Sequence, residues 1–450
     1  MRAAILSPRP LLLAAAICLI AAAPHTGIAQ KTGVTREMTE RGRRMLVQIR
    51  KDLEANYYDS TFQGIDIDAA YARADSQLLS ARDNNHLFGI IAQFVSELKD
   101  SHTFFFPPDR AASINYGYSV QFVGDTAFVL RVGRGSDAEK QGLKRGDALL
   151  RLDRFAVERN TWGTLRYVYY VLSPRPVVRL LVKSPDGEMR EIDVKAKITK
   201  RPRIVDYNDP STVATLIDEY DQASRQPQHY YVSLGDSVLL WRMPSFVVPR
   251  GGLEEMMRLV AKHRTVVLDL RNNGGGYVHI ERQLLSYFFD RNLYVGMTHR
   301  RGKSDSVFIK PADPEKTYRG MLVVLVNSNS ASASEMTARV LQLEGRGIVV
   351  GDRTAGAVVT SRYYGHSVGF GRQMDYTVQV SVLDVTMADG QRLESVGVIP
   401  DHVVLPSAED LVNFRDPQMA HALKLVGYSA TPEEAARLFR SDREEADRSQ

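Results

Sequence analysis

Apolar and polar residues alternate with different periods in different parts of this chain, and the period predicts the elements. Between Asn84 and Lys99, Leu87, Ile90, Ile91, Phe94, Val95 and Leu98 recur three and four positions apart. That spacing places them on one helical face. The helix should end near Asp100, leaving Ser101, His102 and Thr103 at its exit, and residues 30–110 as a whole read as helical. Over 115–200 the period shortens towards two, through Val120, Phe122, Ala127, Val129 and Val132, which predicts strands. From 230 to 405 short apolar runs alternate with helical stretches. Val266 to Leu270 and Met321 to Val326 are two such runs, each followed by Gly, Asn or Ser and then by a helix. Such βα alternation predicts a sheet with helices packed on it. Residues 200–228, polar and Pro-containing, read as a connection, and 406–450 as a charged helical tail. The expected fold class is multi-domain α/β.

Composition supports that division. The chain has 450 residues, 44% of them hydrophobic and 25% charged, an ordinary globular balance that excludes disorder, collagen and coiled coil for the bulk. The length suggests roughly three domains. The net charge of +5 is small and spread out, which gives no reason to expect a nucleic-acid partner. Part of it belongs to the first segment, where Arg2 and Arg9 precede an apolar run from Leu11 to Ala23. That run is shorter than the ~20 residues of a membrane span. Gly27 and Ala29 follow at the −3 and −1 positions for cleavage before Gln30, so 1–29 reads as a secretory signal peptide. Cleavage would remove Cys18, the one cysteine. The exported chain, periplasmic or secreted, would have no disulfide, no thiolate metal site and no cysteine nucleophile. No metal constellation emerges elsewhere, and no cofactor is called for. His279 and Glu281 have the spacing of a deaminase His-x-Glu pair, but no cysteine remains to complete such a site.

Two strings can carry chemistry. In Val324-Leu325-Val326-Asn327-Ser328-Asn329-Ser330-Ala331-Ser332-Ala333-Ser334-Glu335 a strand runs through small residues into a helix. Ser332 and Glu335 fit a Ser-x-x-Glu capping box. A serine there is equally well placed as a nucleophile, because free amides at a helix start favour negative charge and can stabilise an oxyanion. In Val266-Val267-Leu268-Asp269-Leu270-Arg271-Asn272-Asn273-Gly274-Gly275-Gly276 three glycines follow a strand. They permit a tight turn, or a close approach of substrate to the main chain. The pattern is not a phosphate loop, since neither Gly-x-Gly-x-x-Gly nor its lysine is present.

Gly135-Ser136-Asp137-Ala138-Glu139-Lys140-Gln141-Gly142-Leu143-Lys144-Arg145-Gly146-Asp147 resembles PDZ domains. The resemblance implies capture of a peptide C-terminus as an added strand, with the carboxylate loop near Tyr116, Gly117 and Tyr118. The reading of 115–200 as a spacer without ligand stays open. The serine and glycine strings, with Gly351-Asp352-Arg353-Thr354-Ala355-Gly356 and Leu239 to Phe246, resemble the tail-specific, or C-terminal processing, serine peptidase family. The resemblance covers about 115–405. It implies a crotonase-like catalytic core over 230–405 and places the nucleophile on Ser332.

One departure changes the implied mechanism. The family's usual general base is a lysine 25 residues after the nucleophile, where this chain has Ala357, and no lysine occurs from Ala333 to Leu423. The tricorn-core branch of the same clan uses a Ser-His-Glu arrangement instead. Its histidine follows a serine at the end of an N-terminal helix, like Ser101-His102 here. Its glutamate precedes a Gly-Val-x-Pro-Asp string, like Glu394 before Gly397 to Asp401. By triad logic His102 would take the serine proton and Glu394 would orient the imidazolium, with Ser101 assisting. The oxyanion donors would be the N–H of Ala333 and that of Gly274 or Gly275. Each partner also has a plainer reading, His102 as a helix C-cap cation and Glu394 as a surface charge. His366, in a strand-rich stretch, is the second choice for the base.

The resemblance implies an exported serine peptidase that works through an acyl-enzyme and selects peptide or protein substrates by their C-termini. The missing lysine motivates an alternative, a non-catalytic binding protein on the same fold, as in the retinoid-binding modules of this clan. A scaffold acting only through the PDZ-like groove is a third reading.

Overall fold

The computed structural model describes residues 36–108, 112–200, 229–369 and 373–439. The expected signal peptide lies outside them, as does most of the 200–228 connection. Three helices come first: α1 (Arg36–Asn56), α2 (Ile67–Leu78) and α3 (Asn84–Ser96). Asp83 caps α3 by accepting from the His86 N–H, and Leu87, Ile90, Ile91, Phe94 and Val95 are buried as their spacing predicts. A short strand follows, β1 (Phe104–Phe106).

The next unit begins with β2 (Ala112–Asn115), β3 (Tyr118–Val123), β4 (Thr126–Val132), the single turn α4 (Asp137–Lys140), β5 (Ala148–Leu152) and β6 (Phe155–Ala156). It continues through α5 (Trp162–Arg166), a π-helical turn over Tyr167–Leu172, β7 (Val177–Lys183), β8 (Met189–Lys195) and β9 (Lys197–Lys200). The sheet order is β3-β4-β5-β7-β8, so among the described residues β3 is an edge strand with one side unpaired. The unit has its own core, built on Val129, Ala138, Leu180, Val182 and Val194.

The remaining elements are β10 (Tyr230–Leu234), β11 (Val238–Arg242), α6 (Gly252–Val260), β12 (Thr265–Asp269), α7 (Val278–Ser286), β13 (Leu293–Arg300), β14 (Lys303–Ile309) and β15 (Met321–Val326). Then come α8 (Ala333–Leu343), β16 (Ile348–Gly351), β17 (Thr360–Val368), β18 (Met374–Met387), β19 (His402–Val403) and three short helices, α9 (Ala408–Val412), α10 (Pro417–Leu425) and α11 (Pro432–Ala435). The central sheet has the order β10-β11-β12-β15-β16-β19, parallel from β11 onward. Its strands are continuous apolar runs because both faces are covered. Leu239, Trp241, Val266, Leu268, Val324 and Val326 pack on one side with α6, α7 and α8. Val238, Leu240, Val267, Val323 and Leu325 pack on the other with α10 and α11.

A second sheet joins β1, β18, β13 and β14, with β17 paired to β18. The helices α1 to α3 bury their apolar faces against it, with Val378, Val380 and Tyr376 of β18 in the same cluster as Leu46, Ile91 and Phe105. The N-terminal segment therefore ends in a strand that belongs to this sheet. That strand fixes where the exit of α3 lies.

Candidate functional site

In open parallel sheets ligands bind beyond the carboxyl ends of the strands. Both chemistry-bearing strings lie there, after β12 and after β15. Hydrogen bonds tie the two turns together. The Ser330 hydroxyl donates to the Leu270 carbonyl (2.8 Å) and accepts from the Asn327 N–H (3.0 Å). The Ser334 hydroxyl donates to the Asn273 carbonyl (2.8 Å), which also accepts from the Ala331 N–H (3.0 Å). Ser330 and Ser334 are fully buried, so both flanking serines are structural ties.

Ser332 is different. It is half-buried, and its φ of 57° is one that a non-glycine residue holds only under constraint, at roughly 1–3 kcal/mol. Its N–H donates to the Ala357 carbonyl (2.8 Å) and to Glu335 Oε2 (3.1 Å). A strained serine between a strand and a helix is the arrangement that projects a nucleophilic hydroxyl. Gly275 backs against it. A Cβ at Gly275 would sit 2.7 Å from Ser332 Cβ and 3.1 Å from the Ala333 N. The expectation that the Gly275 N–H could serve an oxyanion is corrected, because that N–H donates to Asn273 Oδ1 (2.8 Å). Gly274 is exposed in the same turn. Asn273, buried and also bonded to the Met243 carbonyl (2.8 Å), organises this turn. Its position just before the glycines was the available signal, and sequence reasoning passed over it.

The second wall comes from the exit of α3. Asp100 Oδ1 accepts from the N–H of His102 (2.9 Å) and Thr103 (2.7 Å) and from the Ser381 hydroxyl of β18 (2.9 Å). That anchors Ser101 and His102 to the sheet. The Ser101 hydroxyl lies 2.6 Å from His102 Nδ1. Burial lowers the His102 pKa, and the nearby Glu394 and Asp100 charges oppose the shift. Glu394 Oε1 accepts from the Ser101 N–H (3.0 Å), and Oε2 from the N–H of Val358 (3.0 Å) and Val359 (3.3 Å). Glu394, expected to orient the imidazolium, reaches the pair through the Ser101 N–H.

A continuous set of bonds therefore joins the three segments: Ser332 to Ala357, Val358 to Glu394, Glu394 to Ser101, and Ser101 to His102. His366, the second choice for the base, is engaged elsewhere. Its Nε2 lies 2.7 Å from Asp52 Oδ2 of α1, in the helical layer. His279 stacks on Tyr277 at the start of α7, and Glu281 is buried. Among the described residues no group of three or more His, Cys, Asp or Glu could hold a metal ion.

The β3 unit meets this site through the β3–β4 turn and the loop that carries Arg159. Arg159 pairs with Asp352 (3.4 Å), both largely buried, and also bonds the carbonyls of Gly124 (2.7 Å), Thr354 (3.2 Å) and Arg353. The Gly124 N–H donates to Asp352 (3.0 Å), and the Ser328 hydroxyl to the Phe122 carbonyl (2.6 Å). Of the expected peptide loop, Tyr116 is corrected. Its side chain is 1% exposed, and its hydroxyl bonds the Arg175 N–H (3.0 Å) and carbonyl (2.9 Å), so it is a core post. Gly117 has φ of 77°, and its N–H donates to Asn115 Oδ1 (2.7 Å). The Tyr118 hydroxyl is pushed well above its usual pKa by burial beside Tyr170.

Residues 238–404 match the model of Peptidase family S41. A carboxyl-terminal-processing protease of Synechocystis is 31% identical over 163 residues, 36% of each chain. A probable CtpA-like serine protease of Staphylococcus aureus is 25% identical over 349 residues, 74% of this chain and 63% of the relative. This chain thus spans less than two thirds of the length of those two relatives. A carboxyl-terminal-processing protease of Picosynechococcus is 24% identical over 378 residues, 80% of this chain and 82% of the relative. The solved structure of mature CPAF superposes with a TM-score of 0.61 at 18% identity, covering 83% of this chain and 94% of that one. That likeness is one of fold.

Proposed function

We propose that this chain is an exported serine peptidase that hydrolyses peptide bonds through an acyl-enzyme on Ser332. The observation that carries the reading is the strained Ser332, held between two structurally tied serines and bonded through Ala357 and Glu394 to the Ser101–His102 pair. A serine hydroxyl needs a nearby base, and the usual lysine is absent. His102 supplies it through Nε2. That role requires Nδ1 to carry the proton and donate to Ser101 Oγ, because a hydrogen bond at one ring nitrogen sets the state of the other. Glu394, half-buried close by, stabilises the imidazolium that forms.

The N–H groups of Ala333, at the start of α8, and of Gly274 take the oxyanion. Gly275 contributes close approach without donating. Attack by Ser332 Oγ on the carbonyl transfers its proton to His102, which then protonates the leaving amine. Water repeats the sequence in reverse and releases the acid. Selection by C-terminus falls to the unpaired edge of β3, where a peptide would add as a strand. Export rests on the 1–29 pattern, and no described helix is long and apolar enough to cross a membrane.

The test is labelling by a fluorophosphonate together with hydrolysis of a peptide panel, for wild type, Ser332→Ala and His102→Ala. Both variants should lose both signals while remaining folded. Hydrolysis retained in Ser332→Ala overturns the reading. Tight peptide binding without turnover in wild type supports the non-catalytic alternative instead.

A further inference from the structure

The helix that follows the serine turn carries a carboxylate that the mechanism above does not use. Glu335 is fully buried. Its Oε2 accepts from the N–H of Ser332 (3.1 Å) and Ala357 (2.8 Å), and its Oε1 from the Thr354 hydroxyl (2.5 Å) and the Gly356 N–H (2.7 Å). A capping box accounts only for the bond to Ser332. The other three donors come from a segment 19 to 22 residues further on.

That segment leads directly to Glu394. Thr354 Oγ1 accepts from the Val398 N–H (2.6 Å), the Gly356 carbonyl from the Ser395 N–H (2.7 Å), and Val358 donates to Glu394 itself (3.0 Å). We propose that Glu335 is a positioning residue for the reaction, one carboxylate that fixes the Ser332 turn against the 354–357 segment and so sets the nucleophile relative to Glu394 and the Ser101–His102 pair. The proposal rests on the Ser332 reading.

The chemistry of the site supports this role. A buried carboxylate is costly unless donors meet it, and charge-assisted bonds are the strong ones. Here all four donors belong to the two segments that the reaction must hold in register. Burial pushes the Glu335 pKa up to about 7 while the same donors pull it down. Ala357 stands where the family's usual lysine would be, and its carbonyl also accepts from Ser332 (2.8 Å). The position that lost a base therefore keeps a backbone hold on the nucleophile. Thr354 is the residue whose carbonyl Arg159 contacts (3.2 Å), so the clamp continues into the docked β3 unit.

Glu335→Gln in the full chain tests this. The amide keeps the shape but turns one acceptor into an NH2, so at least one backbone N–H faces a donor. The expected result is a fall in kcat of about 10²-fold, the scale of a displacement near 1 Å, with KM within about twofold and slower fluorophosphonate labelling. Leu341→Ala, a buried apolar position on the same helix, is the structural control. It should lower Tm while leaving kcat per folded molecule unchanged. Thr354→Val removes one donor and serves if the Gln variant does not fold; it should lower kcat by about tenfold. Wild-type kcat in folded Glu335→Gln, or in Thr354→Val where the Gln variant fails to fold, overturns the proposal. A fall matched by Leu341→Ala at equal Tm loss overturns it too. Ser332→Ala run beside them separates the two readings: activity there defeats the nucleophile, whereas inactive Ser332→Ala with fully active Glu335→Gln defeats only the clamp.

Discussion

Replacing Gly275 by alanine is the smallest change that presses on the nucleophile without touching its chemistry. The glycine has φ of +97°, and an added Cβ would meet Ser332 Cβ at 2.7 Å, the Ala331 carbonyl oxygen at 2.9 Å and the Ala333 N at 3.1 Å. Ordinary contact begins at 3.4 Å, so the serine turn must give by about 0.7 Å. All three atoms belong to the turn that holds Ser332 and the proposed oxyanion donor, so the displacement falls on the reacting geometry. A shift of this size corresponds to a loss of kcat between about tenfold and 10²-fold. The positive φ adds roughly 1 kcal/mol of destabilisation through the backbone. Gly302→Ala controls for that second effect, because Gly302 has φ of +76° with nothing within 4 Å. Both variants would be assayed by urea unfolding and by the rate of fluorophosphonate labelling per folded molecule. The reasoning fails if Gly275→Ala labels at the wild-type rate, or if Gly302→Ala slows labelling as much.

Other outcomes are equally specific. Ser330→Ala should cost about 1–3 kcal/mol, because it leaves the buried Asn327 N–H without its partner, and Ser334→Ala only about 0.5–1.5 kcal/mol, because the Asn273 carbonyl keeps the Ala331 N–H, yet both should still be labelled at Ser332; loss of labelling in a folded variant contradicts their structural role. Arg159→Ala strands the buried Asp352 and should destabilise the chain by about 3–5 kcal/mol, whereas the pair Arg159→Met with Asp352→Asn should recover much of it; equal stability of the two in urea titration would refute this. Burial places the His102 pKa below 6.5, so the acid limb of kcat/KM should fall below pH 6.5 and move in His102 variants. The sign for stability is the same. The unfolded chain binds that proton more readily, so this contribution is present above pH 6.5 and declines as pH falls through it. An acid limb centred above pH 7 would count against His102 as the base.

Periodicity sufficed for α3, β12 and β15, because each buries a face, or both faces, in the predicted register. The strand, small-residue turn and capped helix around Ser332 were legible as well, since all three are local features. Tertiary pairing was not legible. Asp100 could not be recognised as the anchor of Ser101 and His102, because its partner Ser381 is 281 residues away. Glu335 read as a simple cap, since three of its four donors arrive from another segment. The role given to the Gly275 N–H failed for a reason that only packing reveals, namely that the Asn273 side chain already accepts from it. Tyr116 read as loop surface because two-residue alternation cannot tell a groove from a core post tied to Arg175.

The central claim is that Ser332 becomes acylated with His102 as its base. Intact-mass and peptide-mapping measurement of the full chain after fluorophosphonate treatment tests it most directly. One adduct on Ser332 in wild type, and none in folded His102→Ala, is the predicted result. An adduct on another residue, or an undiminished Ser332 adduct in His102→Ala, would contradict it.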